Sequence, residues 1–159
     1  MKRIPILFVF LVFAIVINLN GQTKSNEENR IKFNPKADPA ADLKAAVAEA
    51  TKMNKRIILD VGGEWCIWCH RLDNFIDQNE QINKFIHEKF ITVKINYSEE
   101  NYNEKFLSEY PKIKGYPHMF VLDKNGEFLH SQDTGLLEKG KSYDADKIMA
   151  FLNEWAPKK

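Results

Sequence analysis

The chain has 159 residues, with 23 basic against 22 acidic side chains and a formal net charge of +1. That length suits one domain around one hydrophobic core, and the near-balance of charge gives no electrostatic reason to expect nucleic acid or anionic lipid as a partner. There is no internal repeat or low-complexity tract, and the only cysteines are Cys66 and Cys69.

The N-terminus reads as a targeting segment. Lys2 and Arg3 precede an apolar run from Ile4 to Ile17, interrupted only by Pro5, and a polar stretch from Asn18 to Gln22 follows. This is the layout of a secretory signal peptide over residues 1–21, and the run is short for a spanning helix. An uncut membrane anchor is the other reading. No cysteine follows the apolar run, which excludes a lipid-modified lipoprotein. Cleavage after Gly21 would leave 21 basic and 22 acidic residues. The rest of the chain is expected in the periplasm or another exported location, without stable insertion in the membrane. Residues 22–37 are polar and read as a flexible linker, with the folded domain at 38–159.

Asp38-Pro39 marks a helix start, with Asp38 as N-cap and Pro39 at the first helical position. Leu43, Ala46, Val47, Ala50 and Met53 recur at helical spacing and predict the buried face of a helix ending near Asn54. Arg56 to Val61 is a β-prone apolar run that suits a central strand. Asp60 lies inside it, against the pattern. Gly62-Gly63 end the strand. From about Trp68 the pattern is helical through Leu72, Phe75 and Ile76, then through Ile82, Phe85 and Ile86 after a break near Gln78-Asn79. Phe90 to Asn96 alternates as a second strand. Tyr102, Phe106, Leu107 and Tyr110 suggest a helix stopped by Pro111. His118 to Leu122 is a third strand, Asp123 to Gly126 a turn, and Glu127 to Ser131 the returning strand of a hairpin. Ile148, Phe151, Leu152 and Trp155 give a final amphipathic helix with Asp144 and Asp146 in its first turn. The order implies a mixed sheet with helices on both faces, a three-layer α/β/α domain with parallel crossovers at the front and a hairpin at the back.

The chemistry concentrates at Trp65-Cys66-Ile67-Trp68-Cys69-His70. A bridge closing so short a loop removes little unfolded-state entropy, so the pair is a poor structural staple. Cys66 falls where a strand ends and a helix begins, near unpaired N–H groups and the positive end of the helix dipole. Such sites lower a thiol pKa from about 8.5 to as low as ~3.5–7.5. Cys66 is then the nucleophile, forming a mixed disulfide with a substrate, and Cys69 resolves it. Asp60, on a strand heading toward the cysteines, is the candidate acid/base for Cys69. Burial raises the pKa of such a carboxyl and favours its neutral form near pH 7, and a raised pKa suits a group whose carboxylate takes a proton from Cys69 and returns it. Lys94, in the middle of the neighbouring strand, is its candidate partner.

The segment from Asp60 through Val-Gly-Gly-Glu-Trp to Cys66-Ile-Trp-Cys69 resembles the active site of the thioredoxin superfamily. There an Asp stands six residues before the first Cys and a Trp directly precedes it. Gly115-Tyr116-Pro117 resembles the family's cis-proline loop. The resemblance covers about residues 38–156. It is nearest to exported bacterial thioredoxin-like proteins, such as the periplasmic C-terminal domain of the transmembrane disulfide reductase, and to small disulfide-isomerase-like domains. It implies Cys66 as nucleophile, Cys69 as resolving thiol, Asp60 as buried acid/base and Pro117 as cis-proline, with Trp65 and Tyr116 flanking a substrate groove. Ile67-Trp68 replaces the Gly-Pro of ordinary thioredoxins, His70 stands where Lys is common, and His118 where Thr is common. These positions tune the redox potential. A cationic His70 would favour the thiolates and make the protein more oxidising.

Three rivals remain open at this point. Cys66-Ile67-Trp68-Cys69-His70 also satisfies the attachment motif of a c-type haem, with His70 as proximal ligand. Zinc would need ligands beyond one cysteine pair, and His70, His87, His118 and His130 form no second cluster at ligand spacing. A thioredoxin-like domain used only for binding is the third. The favoured reading is a monomeric thiol–disulfide oxidoreductase with no cofactor beyond its own Cys66–Cys69 disulfide. It would reduce disulfides in exported proteins, be recharged by a membrane electron donor, and dock partners on an exposed rim of Trp65, Trp68 and Tyr116. Oxidase or isomerase activity is the alternative.

Overall fold

The computed structural model describes residues 30–158; the signal-peptide reading of residues 1–21 lies outside them. Helix α1 spans Pro39–Met53, and the Asp38 carboxylate caps it by accepting from the Ala40 and Ala41 amides at 2.9 and 3.3 Å. Strand β1 is Arg56–Gly62. Helices α2 (Ile67–Gln78) and α3 (Glu80–Lys89) follow, with Asn79 ending one and capping the other. Strand β2 is Phe90–Asn96, α4 is Glu104–Leu107, β3 is His118–Leu122 and β4 is Phe128–Asp133. A 3-10 turn (Thr134–Leu137), a small ribbon of β5 (Glu138–Lys139) and β6 (Ser142–Tyr143), and helix α5 (Ala145–Trp155) complete the chain.

The main sheet has the order β2-β1-β3-β4. Strands β1 and β2 are parallel, with Asp60 opposite Lys94; β3 runs antiparallel to β1, and β4 antiparallel to β3. The sheet is therefore mixed, as read, but β1–β2 is its only parallel pair. The β3–β4 turn closes through the Gly126 amide on the Asp123 carbonyl at 2.9 Å, with Gly126 at φ 88°. That region of the map is open mainly to glycine.

Side chains alternate across the sheet. Ile57, Leu59 and Val61 join Ile95, Phe120 and Leu122 under α1. Ile58, Met119 and Val121 join Leu72, Ile82, Ile86, Ile148 and Phe151 under α2, α3 and α5. Each fully buried aliphatic side chain contributes about 1.5–3 kcal/mol. Among the described residues, no helix is long and apolar enough to cross a membrane.

Several expectations need correction. Met53 is exposed; the inner face of α1 rests on Ala46 and Ala50, whose small side chains let the helix lie close to the sheet. The helix expected over Tyr102 to Tyr110 is the single turn α4. The Ser108 hydroxyl donates to the Lys105 carbonyl, and Tyr110 precedes a proline, which disfavours helical backbone. Phe106, Leu107 and Tyr110 still pack on the α1-side core. The linker expected over 22–37 is packed structure from Arg30 onward. The Arg30 side chain is buried, Phe33 lies in the core, and the Phe33 amide donates to Glu64 at 2.8 Å.

Candidate active site

Only the short connection from Gly63 to Cys66 separates the end of β1 from the first turn of α2, which places both cysteines at the mouth of the sheet. They are joined as a disulfide with Cα atoms 5.2 Å apart. Cys66 is the N-cap of α2: its backbone is extended, and its Sγ accepts from the Cys69 amide at 3.1 Å. The same amide and the helix dipole would stabilise a Cys66 thiolate once the bond is reduced. Cys69 is 1% exposed, one turn further in.

Gly62 explains why the strand can run this close. A Cβ built there would fall 2.5 Å from Cys69 Sγ and 3.0 Å from the Phe33 ring. Gly62 and Asp60 are two residues apart on β1, so both face α2 and the disulfide. Phe33 closes this side of the site, clustering with Cys66 and Cys69, with Trp68 and Tyr116 packed around them.

Behind the disulfide lies a chain of charges. Lys94 Nζ donates to Asp60 Oδ2 at 2.7 Å and to Asp73 Oδ1 at 2.5 Å. Asp73 Oδ2 also accepts from Arg30 Nη1 at 3.0 Å, and Arg30 Nη2 pairs with Glu64. Lys94 Nζ sits 4.5 Å over the Phe33 ring. Asp60 is 4% exposed, and its Oδ1 has no partner among the described residues. Burial raises the Asp60 pKa; Lys94 opposes this, and the neighbouring Asp73 charge reinforces it. Burial works against the charge on Lys94, but Asp60 and Asp73 outweigh it and hold the ammonium above its ordinary range. Glu64 loses to partial burial but gains more from Arg30 and the Phe33 amide, and ends below the ordinary carboxylate range. Counting charges fits these directions. Glu64, Arg30, Asp73 and Lys94 alternate in sign and balance, which leaves Asp60 as the odd carboxyl of the chain. It also lines a cavity of about 670 Å³ between the sheet edge and α2–α3, together with Asp73, Lys94, Ile76 and His87.

On the other flank, the Tyr116–Pro117 bond is cis, and the Pro117 carbonyl accepts from the Thr134 hydroxyl. Tyr116 meets Trp65 edge-on at 5.8 Å and stacks on Tyr97 at 4.7 Å. Trp65 is 59% and Ile67 60% exposed. Trp68 departs from the expected rim: it is half-buried, edge-on to Tyr143 at 5.7 Å, with Arg71 over its face at 4.4 Å. Tyr116 is also half-buried. The exposed apolar rim is thus Trp65 and Ile67, with Leu136 also exposed, on the 3-10 turn whose Thr134 bonds to Pro117.

His70 does not project freely into solvent; it sits beside Glu64, the outer member of the charge chain. Its Nε2 donates to the Glu64 carbonyl at 2.9 Å, and its Nδ1 is buried without a partner among the described residues. His118 lies on the α1 side, buried, with Nε2 2.8 Å from the Ser131 hydroxyl; burial lowers its pKa and keeps it neutral. Among the described residues, no three His, Cys, Asp or Glu side chains are grouped to hold a metal ion.

The sequence reading missed Asp73, Arg30, Phe33 and Glu64. Asp73 was findable: it stands four residues after Cys69 on one helix, hence on the same face. Arg30 and Phe33 carry no such signal, because a polar segment with one aromatic reads as linker.

A family model described as thioredoxin-like matches residues 38–124. The disulfide bond reductase DsbH of Chlamydia pneumoniae is 24% identical over 123 residues, covering 69% of this chain and 72% of that protein. Human spermatogenesis-associated protein 20 is 41% identical over 54 residues, 34% of this chain; the chain spans 7% of that protein's length. Among solved structures, the disulphide isomerase from Xylella fastidiosa Temecula1 superposes with a TM-score of 0.67 at 23% identity, covering 79% of this chain and 97% of the other.

Proposed function

The chain belongs to the thioredoxin-like family, its cysteine pair is that of a thiol–disulfide oxidoreductase, and we propose that it works as a reductase of disulfides in exported proteins. The observation that supports this most is the pairing of two features. Cys66 Sγ caps α2, and behind it lies the buried carboxyl of Asp60, bonded to Lys94 through Oδ2 while its Oδ1 has no partner among the described residues.

In the reduced protein, Cys66 thiolate attacks a substrate disulfide. One substrate sulfur leaves as thiolate, and the other stays bound to Cys66. Asp60 takes the proton from the buried Cys69 thiol, directly or through one water. Cys69 thiolate then attacks Cys66 Sγ, closes the internal disulfide and expels the second substrate thiolate. Two electrons pass from the protein's thiols to the substrate, and the proton on Asp60 returns to solvent through the cavity it lines. No cofactor enters this cycle. A membrane electron donor would restore the dithiol.

Residues 1–21 acting as a signal peptide would place the domain where such disulfides form. The Chlamydia pneumoniae protein that matches 69% of this chain is named a disulfide bond reductase, which supports the direction. Pro117 would hold the substrate backbone beside Cys66, with Trp65 and Ile67 as the docking rim and Lys94 setting the proton affinity of Asp60.

Trapping tests the reading. Cys69→Ser should accumulate exported proteins linked to Cys66 through mixed disulfides, visible as reductant-sensitive adducts. Cys66→Ser should capture none. Adducts that persist in Cys66→Ser, or a covalent haem mass on the purified chain, would contradict it.

A further inference from the structure

A second concave feature lies near the disulfide, and Asp60 is not among its lining residues. It is a groove of about 630 Å³ whose walls include Phe33, Trp65, Tyr97 and Tyr102. The aromatic rings form a continuous surface. Trp65 meets Tyr116, Tyr116 stacks on Tyr97, and Tyr97 packs on Tyr102 at 5.0 Å. One end lies next to the redox centre, since Trp65 directly precedes Cys66 and Phe33 clusters with Cys66 and Cys69. The indole is held in place by its Nε1, which donates to the Tyr97 carbonyl at 2.7 Å.

The other end carries negative charge. Glu99 and Glu100 form the tip of a tight turn closed by Ser98 and Asn101, which exchange backbone hydrogen bonds at 3.1 and 3.0 Å. Both carboxylates are exposed and have no cationic partner among the described residues. Glu64 also lines the groove, but Arg30 already neutralises it. No basic side chain lines this cavity.

Asn96 supplies a separate sign that the groove takes a donor. It is 4% exposed and lines the cavity. Its Nδ2 donates to the Ser98 hydroxyl at 3.0 Å and to the Asn101 carbonyl at 2.8 Å. A carbonyl can only accept, which fixes the amide orientation. Asn96 Oδ1 accepts from no donor among the described residues and is not fully buried, so it is open to a donor that enters the groove.

Aromatic faces, two free carboxylates and an unpaired amide oxygen together fit one chemistry: a long aliphatic stem ending in a cation. We propose that this groove is a subsite for a lysine or arginine side chain carried beside the disulfide of a polypeptide substrate. The inference rests on the reductase reading and extends it to a substrate class. The stem lies along Trp65 and Tyr97, and the head group reaches Asn96 Oδ1 and the Glu99–Glu100 tip while Cys66 engages the neighbouring sulfur.

The test uses the reduced full chain and three probes: hydroxyethyl disulfide, and two short peptides dimerised through a single cysteine flanked by either lysine or glutamine. Wild type should reduce the lysine peptide roughly 3- to 30-fold faster than the glutamine peptide, the size of one exposed cation–aromatic contact with one exposed ion pair. Added salt should shrink the preference. Glu99→Gln with Glu100→Gln, at exposed turn positions, should bring the ratio toward one. A wild-type ratio near one, or a ratio that survives the double substitution, overturns the subsite while hydroxyethyl disulfide is still reduced. Loss of hydroxyethyl disulfide reduction in wild type overturns the reductase reading, and the subsite with it.

Discussion

The two faces of β1 are built from alternate residues of one strand and serve opposite ends. Toward α1 stand Ile57, Leu59 and Val61, all without solvent exposure. Toward α2 stand Ile58, Asp60 and Gly62, passing from apolar to acidic to empty as the strand nears the disulfide. A buried carboxyl and a missing side chain both reduce stability. The α1 face offsets that loss, which lets the α2 face carry a proton acceptor and make room for Cys69. Stability and chemistry are thus divided at a spacing of one residue.

The largest expected effect comes from the anchoring face. Leu59→Ala should lower the unfolding free energy by about 2–5 kcal/mol, read by denaturant titration. Its folded fraction should still exchange disulfides at the wild-type rate; a matching loss of rate would join the two faces into one unit. On the other face, Asp60→Asn should slow resolution of the mixed disulfide by roughly 10²-fold, followed by acid quench and mass. Its stability should equal or exceed wild type near neutral pH, since a buried carboxyl is costly to ionise. A stability loss as large as that of Leu59→Ala would make Asp60 a structural residue.

Gly62→Ala should cost about 1–3 kcal/mol, because its Cβ must displace Cys69 Sγ or the Phe33 ring. Val61→Ala, one residue away, creates a cavity instead and should leave thiol reactivity unchanged. The smallest effect is in pH dependence. Burial raises the Asp60 pKa from 3.8, so over that window the native state binds more protons than the unfolded chain. The stability of wild type relative to Asp60→Asn should therefore be greatest below about pH 3.8 and fall as pH rises through the native pKa. A difference that grows with pH would mean that Lys94 lowers the Asp60 pKa in the folded protein.

What could be read without coordinates follows the same division. The α1 face of β1 belongs to an apolar run, and such runs announce themselves. Asp60 announced itself by breaking the run, and Lys94 by alternation on the next strand. The helix start at Asp38-Pro39 and the hairpin at Asp123–Gly126 carry local turn chemistry, so they were legible too. Arg30 and Phe33 were not. Their place over the disulfide depends on Glu64, Asp73 and Lys94, which are distant in sequence and meet only after the sheet forms. The burial of Trp68 against Tyr143 depends on the β5–β6 ribbon, whose two-residue strands are too short to show a period. Met53 followed the helical period and still faces solvent, at the last position of α1 before its left-handed cap at Asn54.

The central claim is that the Cys66–Cys69 couple donates electrons to substrate disulfides. Its most direct test is the reduction potential of the full chain, set by equilibration with glutathione and read by alkylation and intact mass. The account predicts a value near roughly −270 mV, in the range of reducing dithiols. A value near roughly −120 to −180 mV would contradict it and make the protein an oxidant or isomerase.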